Sequence, residues 1–492
     1  MANPRGYPVL PKAHQTLLNR YMRLKQCPWL LISDVGCLED AVSHRARPST
    51  NGPGISSSDP TPAESASQAQ AAPTVTAETH LRYLRHLEQN QPPRDMLDRF
   101  AAGYQDFLQS PLQPLTDNLE SITYEVFEKD PIKYEWYERA TAAALTDLYQ
   151  KLQRPIVVAV AGAGRGPLVT RALKASKSTN VPIQMNAVEK NPNAYVLLLR
   201  HNADPKVWNG RVTITKSDMR SWPGPLSPTG EPTKVDILIS ELLGSFADNE
   251  LSPECLDGVQ HVLHPDHGIN IPQSYTAHLT PIASPRIYAD LLSRSGSDDK
   301  WELPYVVLLH QLNYLCTQPS ASPESELPDI KQTWEFSHPL PEPVIAQSEH
   351  LRTGTMTAGL NGGSGSNAHN ERSCVLSFTA PRRGTCHGLA GYFETVLYRS
   401  PVTGQAVELS TDPLTMDAKS KDMISWFPIF FPLRTPLSVP DDGEVVVSMW
   451  RVTDERKVWY EWLVEVFVTV NGKRMGVGRS EVHSSFKNGC LM

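Results

Sequence analysis

"IVVAVAGAGRG", residues 156–166, running straight into "PLVTRALKASK", residues 167–177, decides the architecture. A β-branched apolar run meets three alternating glycines and passes into an amphipathic segment. The first part reads as a buried strand and the second as a helix. Glycines Gly162, Gly164 and Gly166 at such a junction let the backbone approach a ligand, and the helix N-terminus adds free N–H donors. The same glycines would also serve an ordinary tight strand-to-helix turn. The neighbouring segments have to decide between the two.

Three further segments continue the alternation: "IQMNAVEKN" (183–191), "RVTITKSDM" (211–219) and "KVDILISE" (234–241). Strands alternating with helices predict a doubly wound parallel sheet. Glu189 ends the second strand about 20 residues past the glycines, where a ribose-binding carboxylate belongs in nucleotide-binding folds. Asp218 ends the third strand, placed to accept from an adenine amino group. Three strand ends carrying such residues in order predict a nucleoside cofactor. The chain has no GxxxxGK[ST], which excludes a P-loop. "HVLHPDH" carries His261, His264 and His267, but no cysteine or carboxylate set stands near at closed-site spacing, so no metal is expected.

The fourth strand leads into "SELLGSFADNE" (240–250), where Glu241 and Glu250 frame an otherwise nearly uncharged turn. The turn alone does not say what those two charges are for.

Beyond "GINIP" (268–272) the pattern changes to short strands, such as "VLSFTA", "HGLAGYFETVLY", "GEVVVSMWRV" and "VWYEWLVEVFVTV". This predicts a sandwich or barrel. "AGLNGGSGSN" (358–367) reads as the centre of a flexible loop over 354–372. Toward the N-terminus, residues 12–25 have helical spacing and "CPWLLIS" (27–33) reads as a strand. Residues 43–78 carry almost no large apolar side chain and are expected to be a disordered linker. Residues 79–152 are mostly helical in pattern, broken at "QSPLQPL". The expected domains are therefore 1–42, a linker at 43–78, a helical lead-in with an α/β domain at 79–271, and a β module at 272–492.

At 492 residues, 40% hydrophobic and 20% charged, the chain reads as soluble and globular. Its net charge of −7 gives no bulk attraction for nucleic acid. Seven scattered cysteines without a CxxC pair predict reduced thiols in the cytoplasm or nucleus. No apolar run approaches the roughly 18 residues of a membrane span.

Longer stretches carry a resemblance. "LQSPLQPLTDNLESITYEVFEKDPIKY" (108–134), "GAGRGPLV", "AVEKNPNA", "SELLGSFADNELSPECLDG", "GYFETVLY", "SWFP" and "KVWYEW" are similar to the protein arginine N-methyltransferase 5 family. These are the type II enzymes that make symmetric dimethylarginine. The resemblance runs nearly continuously from about residue 79 to 462. It implies a Rossmann-like methyltransferase domain followed by a β-barrel, with S-adenosyl-L-methionine as methyl donor. Tyr124, Lys133, Tyr134, Gly162, Glu189, Asp218 and Met219 fall on its cofactor positions, and Glu241 and Glu250 on its catalytic pair. The implied substrate-binding residues are Tyr104, Phe107, Gln109, Ser110, Phe127, Leu243, Ser425, Trp426 and Phe427. Among these, Phe127 resembles the residue associated with symmetric product, and Trp426 the one that stacks on the guanidinium. Phe107 stands where relatives often carry tyrosine.

The implied partners are arginine/glycine-rich protein tails, histones among them, and a second copy of the chain through a contact near Arg294 to Lys300. Neither a membrane nor direct nucleic-acid binding is expected. The family uses a TIM barrel to hold a WD-repeat partner. Here only "GYPVLPKAHQTLLNRYMRLKQCPWLLIS" resembles that barrel, as its last helix and strand, so capture of that partner is not expected. The competing expectation is a non-catalytic remnant that binds cofactor or partners. A small-molecule or nucleic-acid methyltransferase is disfavoured, since "SELLGS" stands where DNA amino-methylating enzymes tend to carry Asp/Asn-Pro-Pro-aromatic.

Overall fold

The computed structural model describes residues 10–23, 77–91 and 99–492, apart from 102, 297, 320–325, 345–366 and 455. It divides into two compact units, residues 1–95 and 96–492. The strand expected at 27–33 and most of the linker expected at 43–78 lie outside the described residues.

In the first unit, helices α1 (Lys12–Arg23) and α2 (Ala77–Gln89) lie together. Gln91 Nε2 donates to Asn19 Oδ1 at 2.6 Å, and Leu10 N to the Tyr83 hydroxyl at 3.3 Å. Helix α2 was expected in the lead-in to the α/β domain. It starts two residues before 79 and groups with the first unit instead, because its partners are on and beside α1.

The second unit opens with irregular chain and a short helix α3 (Ser121–Phe127), none of whose residues is buried. Helix α4 (Pro131–Leu152) follows. Asp130 caps it, one carboxylate oxygen accepting from Ile132 N and Lys133 N, with Pro131 in the first turn where its missing N–H costs nothing. The other oxygen accepts from Ile424 N and Ser425 N, which ties the helix start to a loop of the β module.

Five parallel strands come next: β1 (Ile156–Ala161), β2 (Ile183–Glu189), β3 (Val212–Lys216), β4 (Ile237–Ile239) and β5 (Ile269–Ile271). Their order is β3-β2-β1-β4-β5, the doubly wound sheet that the alternation predicts. Helices α5 (Pro167–Thr179) and α6 (Pro192–Ala203) make the crossovers. On one face, Val158 and Val160 pack with Tyr137, Ala140 and Leu145 of α4 and Val169 and Ala172 of α5. The other face is not clothed by helices alone. Ala159, Ala161 and Leu238 join one continuous core with Leu256 and Val259 of α7 (Ser252–Val259) and with the β module.

That module contains two mainly antiparallel sheets. The first runs β7 (Lys331–Ser337), β6 (Ser274–Ala283), β9 (Gly384–Arg399) and β10 (Ile429–Val439). The second runs β8 (Arg372–Ala380), β11 (Gly443–Thr453), β12 (Lys457–Val470) and β13 (Lys473–Arg479). The sheets meet along two seams, β7 beside β8 and β10 beside β13, so together they wrap one core as a flattened barrel. Of the loop expected over 354–372, residues 367–372 are described. Asn367 and Asn370 are buried, and Arg372 already belongs to β8. The end of that stretch is ordered because Glu254 and Asp257 of α7 accept from the two asparagine amides at 3.0 and 2.7 Å.

Candidate active site at the carboxyl ends of the parallel strands

The glycine turn behaves as a cradle. Gly164 has φ +53°, a region that β-branched residues avoid, and a Cβ there would meet the Tyr124 ring at 3.0 Å. Its N–H donates to Glu189 Oε2 at 2.7 Å, while Asn191 N donates to Oε1 at 2.6 Å. Burial pushes the Glu189 carboxyl up, and these two N–H groups oppose the shift. Asn191 also caps α6 and reaches the Tyr124 hydroxyl, so one "NP" step organises the turn, the acid and the ring. Asp218 is gripped by the Arg220 guanidinium at 2.9 and 3.0 Å, which outweighs burial and holds its carboxyl below the usual range.

Past β4 the chain doubles back. Gly244 and Ala247 exchange backbone hydrogen bonds of 3.0 and 2.9 Å, and Asn249 Oδ1 accepts from Phe246 N at 2.6 Å. A side chain at Gly244 would collide with the Asn249 amide. Phe246 is buried edge-on against Trp334, Phe431 and Tyr460, at 5.2–5.8 Å between centroids. These contacts turn Glu241 and Glu250 into one cavity of about 610 Å³. Burial and the neighbouring Glu241 charge push the Glu250 carboxyl well above its ordinary range, with Lys133 opposing.

Facing the pair, Lys133 places its ammonium 3.2 Å from Glu241 Oε2 and 4.7–5.3 Å from the ring centroids of Trp426, Tyr134 and Phe127. Burial would lower the Lys133 pKa, but the Glu241 carboxylate overcomes it and the ammonium is held more strongly than usual. Trp426, at φ +63°, donates from its indole to Leu243 O at 2.6 Å, so the aromatic wall is bonded to the glutamate loop. This slot therefore already stabilises one cation by charge and by ring faces.

The cavity brings together Tyr104, Gln109, Ser110, Tyr124, Phe127, Lys133, Tyr134, Gly162, Gly164, Glu189, Asp218, Met219, Glu241, Leu243, Glu250, Ser425, Trp426 and Phe427. Gln109 exchanges backbone bonds with Val306, and Asp106 accepts from His310 N and Gln311 N, so segment 104–110 is stitched to the β module. Two expected residues fall elsewhere. Gly166 packs against the Trp208 ring, where helix and sheet need a close approach. Phe107 does not line the cavity: 54% exposed, its ring packs edge-on against cavity-lining Tyr104 at 6.4 Å between centroids. Asn191 and Cys255 also line the cavity and were missed. Asn191 follows the Asn-Pro cap signature, whereas buried Cys255, its thiol pushed up to about 12, had no local signal. The three histidines of "HVLHPDH" have other partners: His261 meets Trp222 O, while His264 stacks on His267, which meets Asp236.

Comparison with known proteins adds the following. Residues 95–271 match the PRMT5 arginine-N-methyltransferase domain, 274–492 the PRMT5 oligomerisation domain and 1–90 the PRMT5 TIM barrel domain. The barrel likeness thus runs on past residue 42, through the stretch expected to be a linker. Protein arginine N-methyltransferase skb1 of Schizosaccharomyces pombe is 42% identical over 82% of this chain and 58% of its own length. Protein arginine N-methyltransferase 5 of Xenopus laevis is 36% identical over 94% of this chain and 60% of its own length. The Oryza sativa subsp. indica protein of that name is 39% identical over 94% and 62%. The chain spans about three-fifths of the length of these relatives. The solved Trypanosoma brucei PRMT1 enzyme–prozyme heterotetrameric complex with AdoHcy shares the fold, with a TM-score of 0.51 at 16% identity over 74% of this chain and 98% of that one. With three consecutive domain matches of one family across almost its whole length, the chain belongs to the PRMT5 family.

Proposed function

We propose that this chain is a type II protein arginine methyltransferase, forming mono- and symmetric dimethylarginine on arginine/glycine-rich protein tails, histones among them. The observation that carries the reading is the slot itself: two carboxylates from one folded-back loop beside a cation held over three aromatic rings, next to a glycine cradle. S-adenosyl-L-methionine fits that cradle: Gly162 and Gly164, at φ +72° and +53°, line the cavity beside the Glu189 carboxylate. Glu189 would take the ribose hydroxyls, Asp218 and Met219 the adenine side, and Lys133 the carboxylate end. When bound, the cofactor supplies a methyl group on a positively charged sulfur.

The chain's own residues do the rest. A guanidinium is planar, carries five donors and stays protonated at neutral pH. Glu241 and Glu250 would bind it through charge-assisted bonds and draw its positive charge toward the nitrogens they hold, leaving the remaining nitrogen a better nucleophile. Trp426 and Phe127 would fix the ring-face orientation. Alignment of this kind is worth about 7–11 kcal/mol where it reaches a near-attack geometry. The oligomerisation-domain match supports self-association of the β module, and the free cysteines among the described residues fit a cytoplasmic and nuclear setting.

The test is incubation of the full chain with labelled S-adenosyl-L-methionine and an arginine/glycine-rich histone tail, followed by mass spectrometry of the arginines. Symmetric dimethylarginine is the expected product, and absence of any methylated arginine would sink the reading. Product choice is expected to depend on Phe127, which lines the cavity 5.3 Å from the Lys133 ammonium. Phe127→Met should admit asymmetric dimethylarginine. If the variant yields only symmetric product at the wild-type rate, Phe127 is not the selector.

A further inference from the structure

Behind the glutamate loop lies a second guanidinium between two carboxylates, and this one belongs to the chain. Arg451, on β11 and fully buried, donates from Nε to Asp248 Oδ2 at 2.5 Å and from Nη2 to Glu254 Oε2 at 2.9 Å. Its Nη1 donates to Asn370 O at 3.0 Å. Asp248, equally inaccessible, also accepts from the Tyr460 hydroxyl at 2.7 Å and from the Trp334 indole at 2.9 Å. Glu254 further accepts from Asn367. Every named donor comes from the β module. Both carboxylates come from the methyltransferase chain on either side of Glu250: Asp248 just before it, and Glu254 in the first turn of α7 just after it.

We propose that Asp248, Arg451 and Glu254 are positioning residues, through which the β module sets the place of Glu250 relative to Glu241. The inference rests on the methyl-transfer reading above. Three features support it. Apolar replacements commonly serve stability as well as a buried ion triad does, so the triad's distinctive contribution is directional. The fork of arginine engages two carboxylates at set angles, which a point charge cannot do. The pinned positions bracket Glu250, between Ala247 at φ +62° and Leu251 at φ +67°, so a change of partner at Asp248 is transmitted along a very short piece of chain. A displacement of about 1 Å in a reacting group can cost on the order of 10²-fold in rate.

The experiment compares the full wild-type chain with Asp248→Asn, which keeps the shape but presents an amide to three donors, and with Arg451→Lys, which keeps the charge but loses the fork. The readouts are kcat and KM for an arginine/glycine-rich peptide, the Kd for S-adenosylhomocysteine, and amide hydrogen exchange across 241–251. Expected are at least a tenfold loss of kcat in each variant, KM and Kd changed less than about threefold, and faster exchange confined to 241–251. Unchanged kcat and exchange in the folded variants would overturn the proposal. So would losses of kcat and cofactor affinity in equal proportion, with faster exchange throughout the unit, since that marks a merely structural role. A wild-type chain that transfers no methyl group would defeat the functional reading, and exchange across 241–251 would still decide the positioning claim.

Discussion

Glu241→Gln is expected to lower methyl transfer to an arginine peptide by at least ~10²-fold, equivalent to losing one preorganised electrostatic contact of about 3 kcal/mol. Glutamine keeps the shape of the side chain and removes the charge that holds a guanidinium. Glu241 also neutralises Lys133, which is buried, so the variant carries a second effect. Breaking one side of a buried ion pair costs about 3–5 kcal/mol in stability, less here because Glu241 is partly open to solvent. The stability effect is read from the double variant Glu241→Gln/Lys133→Met, which should recover much of the melting temperature; the effect on turnover is read from Glu241→Gln alone, since Lys133 also serves the cofactor. Turnover within tenfold of wild type in both Glu241→Gln and Glu250→Gln would refute a two-carboxylate mechanism.

A comparable loss, on binding this time, is expected for Gly164→Val. At φ +53° a β-branched residue is strained by roughly 1–2 kcal/mol, and its Cβ would press on the Tyr124 ring 3.0 Å away. The same shift would pull the Gly164 N–H off Glu189. For the wild type, S-adenosylhomocysteine at 100 times its Kd should stabilise the fold by about 2.7 kcal/mol, seen as a rise of a few degrees in melting temperature. Gly164→Val should abolish that rise, and Glu189→Ala should too, although each variant still melts cooperatively. A full rise in both would reduce the glycine turn and its acid to structural elements.

What could be read from the sequence tracks the range over which the signal acts. The parallel sheet, the cradle and Glu189 lie in consecutive strand–turn–helix units, and local periodicity with glycine position reports them directly. Glu241 and Glu250 stood out because a nearly uncharged turn had no other need for them. Gly166 misled for a related reason: a glycine that admits a ligand and one that admits a tryptophan ring look alike in one dimension. Phe107 was assigned by alignment of a stretch, but that segment is irregular, with Asp106 at φ +55°, and no periodicity tells which of its side chains line the cavity. The Arg451–Asp248 pair was invisible, its members standing 203 positions apart with no periodicity linking them. Helix α2 was assigned to the wrong unit for the same reason, since its partners lie across the span from residue 24 to 76.

The ammonium of Lys133 has a consequence for which ligands this slot can discriminate. Tethered by its own backbone beside Glu241, it competes with any entering cation as a ligand of fixed high local concentration, at least in the millimolar range by analogy with short linkers. A small cation with only millimolar intrinsic affinity, such as free guanidinium or arginine amide, therefore gains little by exchanging with it. A peptide that also touched the 104–110 segment, part of which lines the same cavity, would bring additional binding to offset the exchange. In titration calorimetry on the cofactor-free protein, Lys133→Met should accordingly raise the affinity for arginine amide by about tenfold, while changing the affinity of a long peptide much less. Equal affinity of wild type and variant for arginine amide would contradict this. In the cofactor-free protein the side chain would thus work as a built-in competitive inhibitor, and its strength would set how many contacts beyond the arginine itself a substrate must make.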